Sequence, residues 1–417
     1  MPILKILRQR GRPRQVVMQL TDRCNARCAQ CGMNVTRGGA RGDMDADTAR
    51  RVIDRCVALG VSALSFTGGE PFLTGELLVT LLAYAGRAGI EYLRTGTNGY
   101  QFSRPDAPEF TDRVTRLAES LAATPLRNYW ISLDSADARS HESNRGLPGM
   151  VEGVARALPI FHAHGLFPTA NLALNRHMGG GEPIHGTAQD VYEQSSLALS
   201  RFFEAAAEVG FTMANCCYPM SDADSEKGVR AVYAATAADA RVTFADAEKR
   251  ALFRAVLDTV PRHRSRLRVF TPMTAVYALW RQYGDPLRLA RPCLGGVSFL
   301  YVDRHGDCFP CGYRGSENLG PFWKLDAARL GGEAHCRACD WECFRDPGEL
   351  LGPLGDLASG PAGWLRLAAS DWRQLRLWLT DLRYFAACGQ FDGRRAPDPA
   401  RLKRFSPGRC PGPHWGE

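Results

Sequence analysis

The 417-residue chain predicts an α/β fold, a partial (β/α)6 barrel of TIM type followed by a cysteine-rich domain. Three observations predict it. Apolar runs of strand length alternate with five segments of helical period. Polar residues gather after all six strand-like runs, on the side where parallel α/β folds bind ligands, which suits a barrel mouth better than a single switch-point crevice. Most of the 14 cysteines fall into two groups, one after the first strand and one late in the chain.

The elements follow in order. A basic leader, residues 1–15, carries Lys5, Arg8, Arg10, Arg12 and Arg14 and reads as solvated chain. Val16 to Leu20 is the first strand and runs into Cys24, Cys28 and Cys31. The runs at 63–66, 92–94, 129–133, 169–174 and 211–214 are the next five strands. Helical patterns lie near 46–59, 74–88, 110–122, 150–164 and 190–208. The strand ends carry, in turn, Thr67-Gly68-Gly69-Glu70-Pro71, Thr97-Asn98-Gly99, Asp134-Ser135, Asn175-Arg176-His177 and Asn215-Cys216-Cys217. Helices near 246–260 and 273–283 close a barrel-plus-connector unit spanning 16–290. A loop-like region at 291–345, rich in Gly and Pro, holds six cysteines, Cys293, Cys308, Cys311, Cys336, Cys339 and Cys343. Residues 346–361 read as a linker, and Trp364 to Phe385 as one amphipathic helix whose Arg366, Arg373, Arg376 and Arg383 form its polar side.

Composition excludes other classes. Apolar residues make up 45% and charged residues 23%, which is globular rather than disordered or fibrous. No run approaches the roughly 20 apolar residues of a membrane-spanning helix. The N-terminus lacks an unbroken apolar stretch and a small-residue cleavage site, so the expected location is the cytoplasm. The net charge of +8 sets 47 arginines and five lysines against 44 acids, with no aromatic-interleaved basic motif, which argues against a nucleic-acid partner. Clustered thiols in a reducing compartment point to metal or redox work.

Three cysteines spaced by three and two residues can hold three irons of a 4Fe-4S cubane and leave the fourth open. A zinc knuckle is the alternative, although no fourth Cys or His lies nearby. The loop directly follows the first strand, and Gly68-Gly69-Glu70-Pro71 directly follows the second. Together these motifs resemble the radical S-adenosylmethionine (SAM) superfamily. The resemblance implies that Cys24, Cys28 and Cys31 hold the cluster and that the amine and carboxylate of SAM chelate its open iron. Gly68 and Gly69 would let backbone approach the methionyl group, with Glu70 and Pro71 shaping the turn. Asn98, Ser132 and Asp134 would face SAM or substrate, and Arg145, in the run His141 to Gly146, would pair with the SAM carboxylate; turn and capping roles are the plain reading of each. Where the family often has an aromatic residue before the third cysteine, this chain has Gln30.

The late group looks like the auxiliary-cluster extension called SPASM or twitch, although the strict seven-cysteine spacing is not met. The expected single-cluster set is Cys293, Cys308, Cys336 and Cys339, with Cys311 and Cys343 as alternates or ligands of a second cluster; adding Cys388 and Cys410 would supply two. A zinc ribbon built from Cys308/Cys311 and Cys336/Cys339 is the alternative. On the substrate side, Cys216 and Cys217 are the catalytic candidates, of which strand geometry allows one to face inward. Asn175, His177 and the glycine-rich run Met178 to Gly181 suggest a substrate loop.

The function expected from the resemblance is reductive cleavage of SAM to a 5'-deoxyadenosyl radical that abstracts hydrogen from a small-molecule or peptide substrate. A flavodoxin or ferredoxin would supply electrons, and one or two auxiliary 4Fe-4S clusters would assist oxidation or hold substrate. The alternatives are a SAM-dependent radical methyltransferase and a non-enzymatic iron-sulfur carrier or zinc module.

Overall fold

The computed structural model describes residues 13–31, 40–219, 239–285, 291–326, 330, 336–337, 339–368 and 371–407. The leader arginines before residue 13 and Cys410 lie outside them. Among the described residues one nine-stranded sheet runs in the order β7-β6-β5-β4-β3-β2-β1-β8-β9. Its strands are β1 (Gln15–Thr21), β2 (Ala63–Gly68), β3 (Tyr92–Thr97), β4 (Leu126–Ser132), β5 (Thr169–Ala173), β6 (Met213–Cys217), β7 (Arg268–Val269), β8 (Phe299–Val302) and β9 (Cys308–Phe309). From β1 to β7 every strand pairs in parallel with its sequence neighbour, the order of an open barrel wound in one direction. β8 joins the other side of β1 in parallel, and β9 turns back antiparallel on β8.

The helices lie where the 3.6-residue period puts them. Ala46–Leu59 starts at Asp45, whose carboxylate accepts from the Asp47 and Thr48 amides, and stops at Gly60 with φ 74°. Ala188–Val209 is opened by a reciprocal Thr187–Asp190 capping box. Alternate strand residues fill the layer beneath the helices: Val16, Met18, Leu64, Phe66, Leu93, Tyr129, Ile131, Leu172, Ala214 and Cys216 all belong to one buried apolar core. The residues between them, including Gln19, Ser65, Arg94, Trp130, Asn171, Asn215 and Cys217, therefore face away from the helices. That inner face is polar.

Two late stretches differ from the sequence reading. Residues 346–361, read as a linker, fall largely in the helix Glu342–Leu357. Pro347 and Pro353 sit inside it, each removing a backbone donor, but the apolar burial of Phe344 and the bonds of Arg345 to Gln282, Asp346 to Tyr218 and Glu349 to Gln374 and the Arg291 amide hold the helix in place. The segment read as one helix from 364 to 385 is two, Pro361–Ala368 and Trp372–Ala387. Trp378 and Tyr384 of the second are buried, whereas Trp364 and Leu379 are exposed.

Candidate radical SAM site and its thiol groups

The three-cysteine loop is held by the strand ends beside it. The Gly69 amide donates to the Thr21 carbonyl at 2.8 Å and the Glu70 amide to the Arg23 carbonyl at 2.9 Å, so the Gly-Gly-Glu turn lies directly on the chain entering the loop. Glycine is required there. A Cβ on Gly68, whose φ is +149°, would lie 2.3 Å from the Thr21 oxygen, and one on Gly69 would lie 2.2 Å from the Arg23 oxygen. Glu70 is fully buried and accepts from the amides of Phe72 and, at 2.6 Å, Asn98. Burial pushes its carboxyl up to about 7 against these bonds. Pro71 begins the short turn that Glu70 caps. The Asn98 side chain in turn donates to Asn25, at 2.8 Å, and toward the Cys24 sulfur at 3.7 Å. Three successive strand ends thus meet at one thiol.

The fourth strand supplies the charge. Asp134 is buried and holds Arg145 through two bonds, 2.8 Å to Nε and 2.7 Å to Nη2. Burial raises the Asp134 carboxyl, but the Arg145 charge and its bonds outweigh that and leave it below the usual range. His141 Nδ1 accepts the Asp134 amide, and burial pushes that imidazole down to about 4, so it is neutral. Arg145, expected to meet a SAM carboxylate, is committed to Asp134 through these two nitrogens while its charge acts on Cys28 and Cys31. Burial pushes the Cys28 thiol up to about 12, with Arg145 pulling the other way. Gln30 is buried and its Nε2 reaches Asp134 at 3.4 Å. Ser132 lies at the end of β4 on the inner face. A cleft of about 200 Å³ opens among Gln30, Asp134, Asn144, Asn175, His177 and Arg241. The loop after β5 is tied to its floor: Asn175 Nδ2 donates to the Asp134 carbonyl, and Met178 is fully buried.

The late cysteines divide. Cys293 and Cys311 are buried in a second apolar cluster with Phe299, Tyr301, Phe309 and Trp341, against which Cys336 and Cys339 pack. The Cys293 amide donates to the Cys336 carbonyl at 2.8 Å. Burial, reinforced by the neighbouring thiols Cys311 and Cys336, pushes Cys293 up to about 12. Cys308 does not join this set. It precedes Phe309 on β9, and alternation turns Phe309 to the thiol cluster and Cys308 into the helix-side core, beside Cys56. The two Cys-x-x-Cys pairs of a zinc ribbon are therefore not brought together. Cys343 packs at the edge of the cluster, but its thiol points to Glu342 at 3.5 Å. Cys388 lies elsewhere, with Tyr384 and Phe391. The β6 pair divides by the same alternation, with Cys216 in the core and Cys217 on the inner face 3.3 Å from Asn171 Oδ1.

The donor sets suit clusters. Among the described residues no three Cys, His, Asp or Glu side chains converge on the spacing of a single metal ion. A cubane needs no such convergence, because its thiolates sit on separate corners, and three thiols on one loop or four gathered at one apolar cluster suit that demand. Sequence reasoning did not single out Arg94, Asn171 or Glu342. Glu342 stands 125 residues from Cys217, yet each bonds to the other in the fold. No helix among the described residues is long and apolar enough to cross a membrane.

Known proteins resemble this chain in sequence and in fold. Residues 18–189 match the radical SAM superfamily model. The AdoMet-dependent heme synthase of Methanosarcina barkeri is 25% identical over 82% of this chain and 88% of its own length. The GTP 3',8-cyclase of Tolumonas auensis is 32% identical over 32% of this chain and 37% of its own. Among solved structures, Streptococcus suis SuiB bound to S-adenosylmethionine superposes with a TM-score of 0.50 at 15% identity, covering 79% of this chain and 68% of that one. Native anSMEcpe with bound AdoMet and Cp18Cys peptide gives 0.50 at 14% identity, covering 91% and 98%. At such identities these two speak for the fold alone. Residues 18–189 of the chain are therefore a radical SAM domain by this match.

Proposed function

We propose that this enzyme uses Cys24, Cys28 and Cys31 to hold a 4Fe-4S cluster whose open iron takes SAM, and acts on a small-molecule or peptide substrate at the polar inner face. When bound, the cluster and SAM supply a 5'-deoxyadenosyl radical that abstracts hydrogen. The chain's own residues supply position. Gly68 and Gly69 seat the turn against Thr21 and Arg23, Glu70 joins that turn to Asn98, and Asn98 reaches Cys24. Asp134 fixes Arg145 beside Cys28 and Cys31, where its positive charge favours the thiolates that iron binds. Asp134, Arg145, Gln30 and Ser132 then line the SAM side, next to the cleft that reaches Asn175 and His177. Cys217, on the inner face, is the thiol that meets substrate; Cys216 is packing.

Cys293, Cys311, Cys336 and Cys339 are the best-supported ligands of one auxiliary 4Fe-4S cluster, which would assist oxidation or hold substrate. A flavodoxin or ferredoxin in the cytoplasm would be the reductant. Oxidation, epimerisation or crosslinking fits this arrangement. The observation that carries the reading is the meeting of three strand ends at the Cys24 thiol. It is tested by anaerobic reconstitution with dithionite and SAM. Wild type should release 5'-deoxyadenosine, and the Cys24/Cys28/Cys31→Ala variant should not; intact SAM in the wild type would overturn the reading.

A further inference from the structure

The inner face of β1–β6 bears Arg94, half-buried on β3, while Arg127, at the register shift of β4, is paired with Asp392. Its guanidinium carbon lies 5.4 Å from the centroid of the Trp130 ring. Gly96, next along the same face, leaves room for that indole: a Cβ there would lie 2.0 Å from the Trp130 ring atoms. The glycine, the indole and the guanidinium therefore form one built platform.

Arg94 also lacks an acceptor. By contrast, Arg145 is committed to Asp134, Arg264 to Asp381 and Arg291 to Asp356. Among the described residues nothing ion-pairs with or accepts a hydrogen bond from Arg94. Its register partner on β2, Ser65, is 3% exposed, and its hydroxyl has no hydrogen-bond partner either. A guanidinium fork beside an unused hydroxyl is a donor set waiting for an oxyanion. The neighbouring helix start adds Cys343, on which the Arg94 charge acts, and the buried carboxyl of Glu342.

We infer that Arg94, Ser65 and the Trp130 ring bind a carboxylate group of the substrate, so that the enzyme acts on a molecule that carries a planar carboxylate next to an apolar or aromatic body. This rests on the proposed function and names its substrate class. A single positive charge matches a carboxylate. A phosphate ester would bring a second negative charge that the single guanidinium leaves unmatched, next to Glu342 and Asp346, where burial already disfavours negative charge.

The test titrates the anaerobically reconstituted full chain with phenylacetate, phenylacetamide and phenyl phosphate by calorimetry. Wild type should bind phenylacetate in preference to the other two. Arg94→Gln should weaken phenylacetate by about 10- to 100-fold, the range for losing a charge-assisted bond, and Arg94→Lys by less. Thermal unfolding and iron content of each variant show whether it has folded. Equal phenylacetate affinity in folded Arg94→Gln, no phenylacetate binding by wild type, or preference for phenyl phosphate would overturn the inference. Dithionite-driven SAM cleavage by the wild type is scored separately, so failure of the radical reading is distinguishable from failure of the carboxylate site.

Discussion

Replacing Gly69 with alanine perturbs the cysteine loop through backbone alone. The new Cβ would lie 2.2 Å from the Arg23 oxygen, 2.6 Å from its carbonyl carbon and 3.0 Å from the Cys24 Cβ. Real Cβ atoms stay at least 3.0 Å from such neighbours, so the Arg23 carbonyl must retreat by about 0.8 Å, and Cys24 follows it in sequence. Overpacking of this kind costs roughly 1–3 kcal/mol of stability. The larger effect is positional: a site needs its groups within about 0.5 Å, and a misplacement near 1 Å costs on the order of 100-fold in rate. The assay is 5'-deoxyadenosine formation under dithionite, read beside iron per chain and denaturant unfolding. Gly165→Ala is the control, since its φ is +71° with no atom within 4 Å of the added Cβ, so it carries backbone strain of about 1–2 kcal/mol and no clash. Gly69→Ala should lose about 100-fold in SAM cleavage while Gly165→Ala stays near wild type. Equal rates in the two variants would refute the reasoning.

Three further outcomes follow from the same geometry. Asp134→Asn strands the buried Arg145 guanidinium and should cost about 3–5 kcal/mol in denaturant unfolding, part of which Arg145→Met on the same background restores; an unchanged midpoint in the single variant would remove the pair from the account. Glu70 titrates near 7 when folded against an ordinary 4.5, so the folded state keeps a proton that the unfolded chain has lost; stability attributable to Glu70 is full below about pH 4.5 and falls by up to roughly 3 kcal/mol as pH rises through 7. Glu70→Gln should flatten that part of the unfolding profile, and identical profiles would contradict the burial argument. Cys311→Ala should lower auxiliary iron per chain, whereas Cys308→Ala, in the core beside Cys56, should leave it unchanged; the reverse pattern would return Cys308 to the ligand set.

The barrel was legible because each of its elements announces itself locally. The helix pattern at 46–59 matches Ala46–Leu59, where an Asp cap and a glycine stop bracket an unbroken apolar period. The thiol loop and the Gly-Gly-Glu turn were equally local, and the fold brings them together through adjacent strand ends. The helix Glu342–Leu357 was hidden because Pro347, Pro353 and its glycines read as linker, while the burial that holds it comes from distant elements. The choice between Cys308 and Cys311 depends on the facing of a two-residue strand against β8, which no spacing rule specifies. Arg94 was invisible for a related reason. Its significance lies in having no acceptor, and that emerges only when the strand register places Ser65, Gly96 and Trp130 around it.

The central claim is that two separate thiol groups do two separate jobs, and counting iron and sulfide in two variants tests it most directly. The account predicts that Cys24/Cys28/Cys31→Ala loses about four irons and all dithionite-driven SAM cleavage, while Cys293/Cys311/Cys336/Cys339→Ala loses about four irons and keeps SAM cleavage. Retention of SAM cleavage by the first variant, or its loss together with all iron from either one, would contradict it.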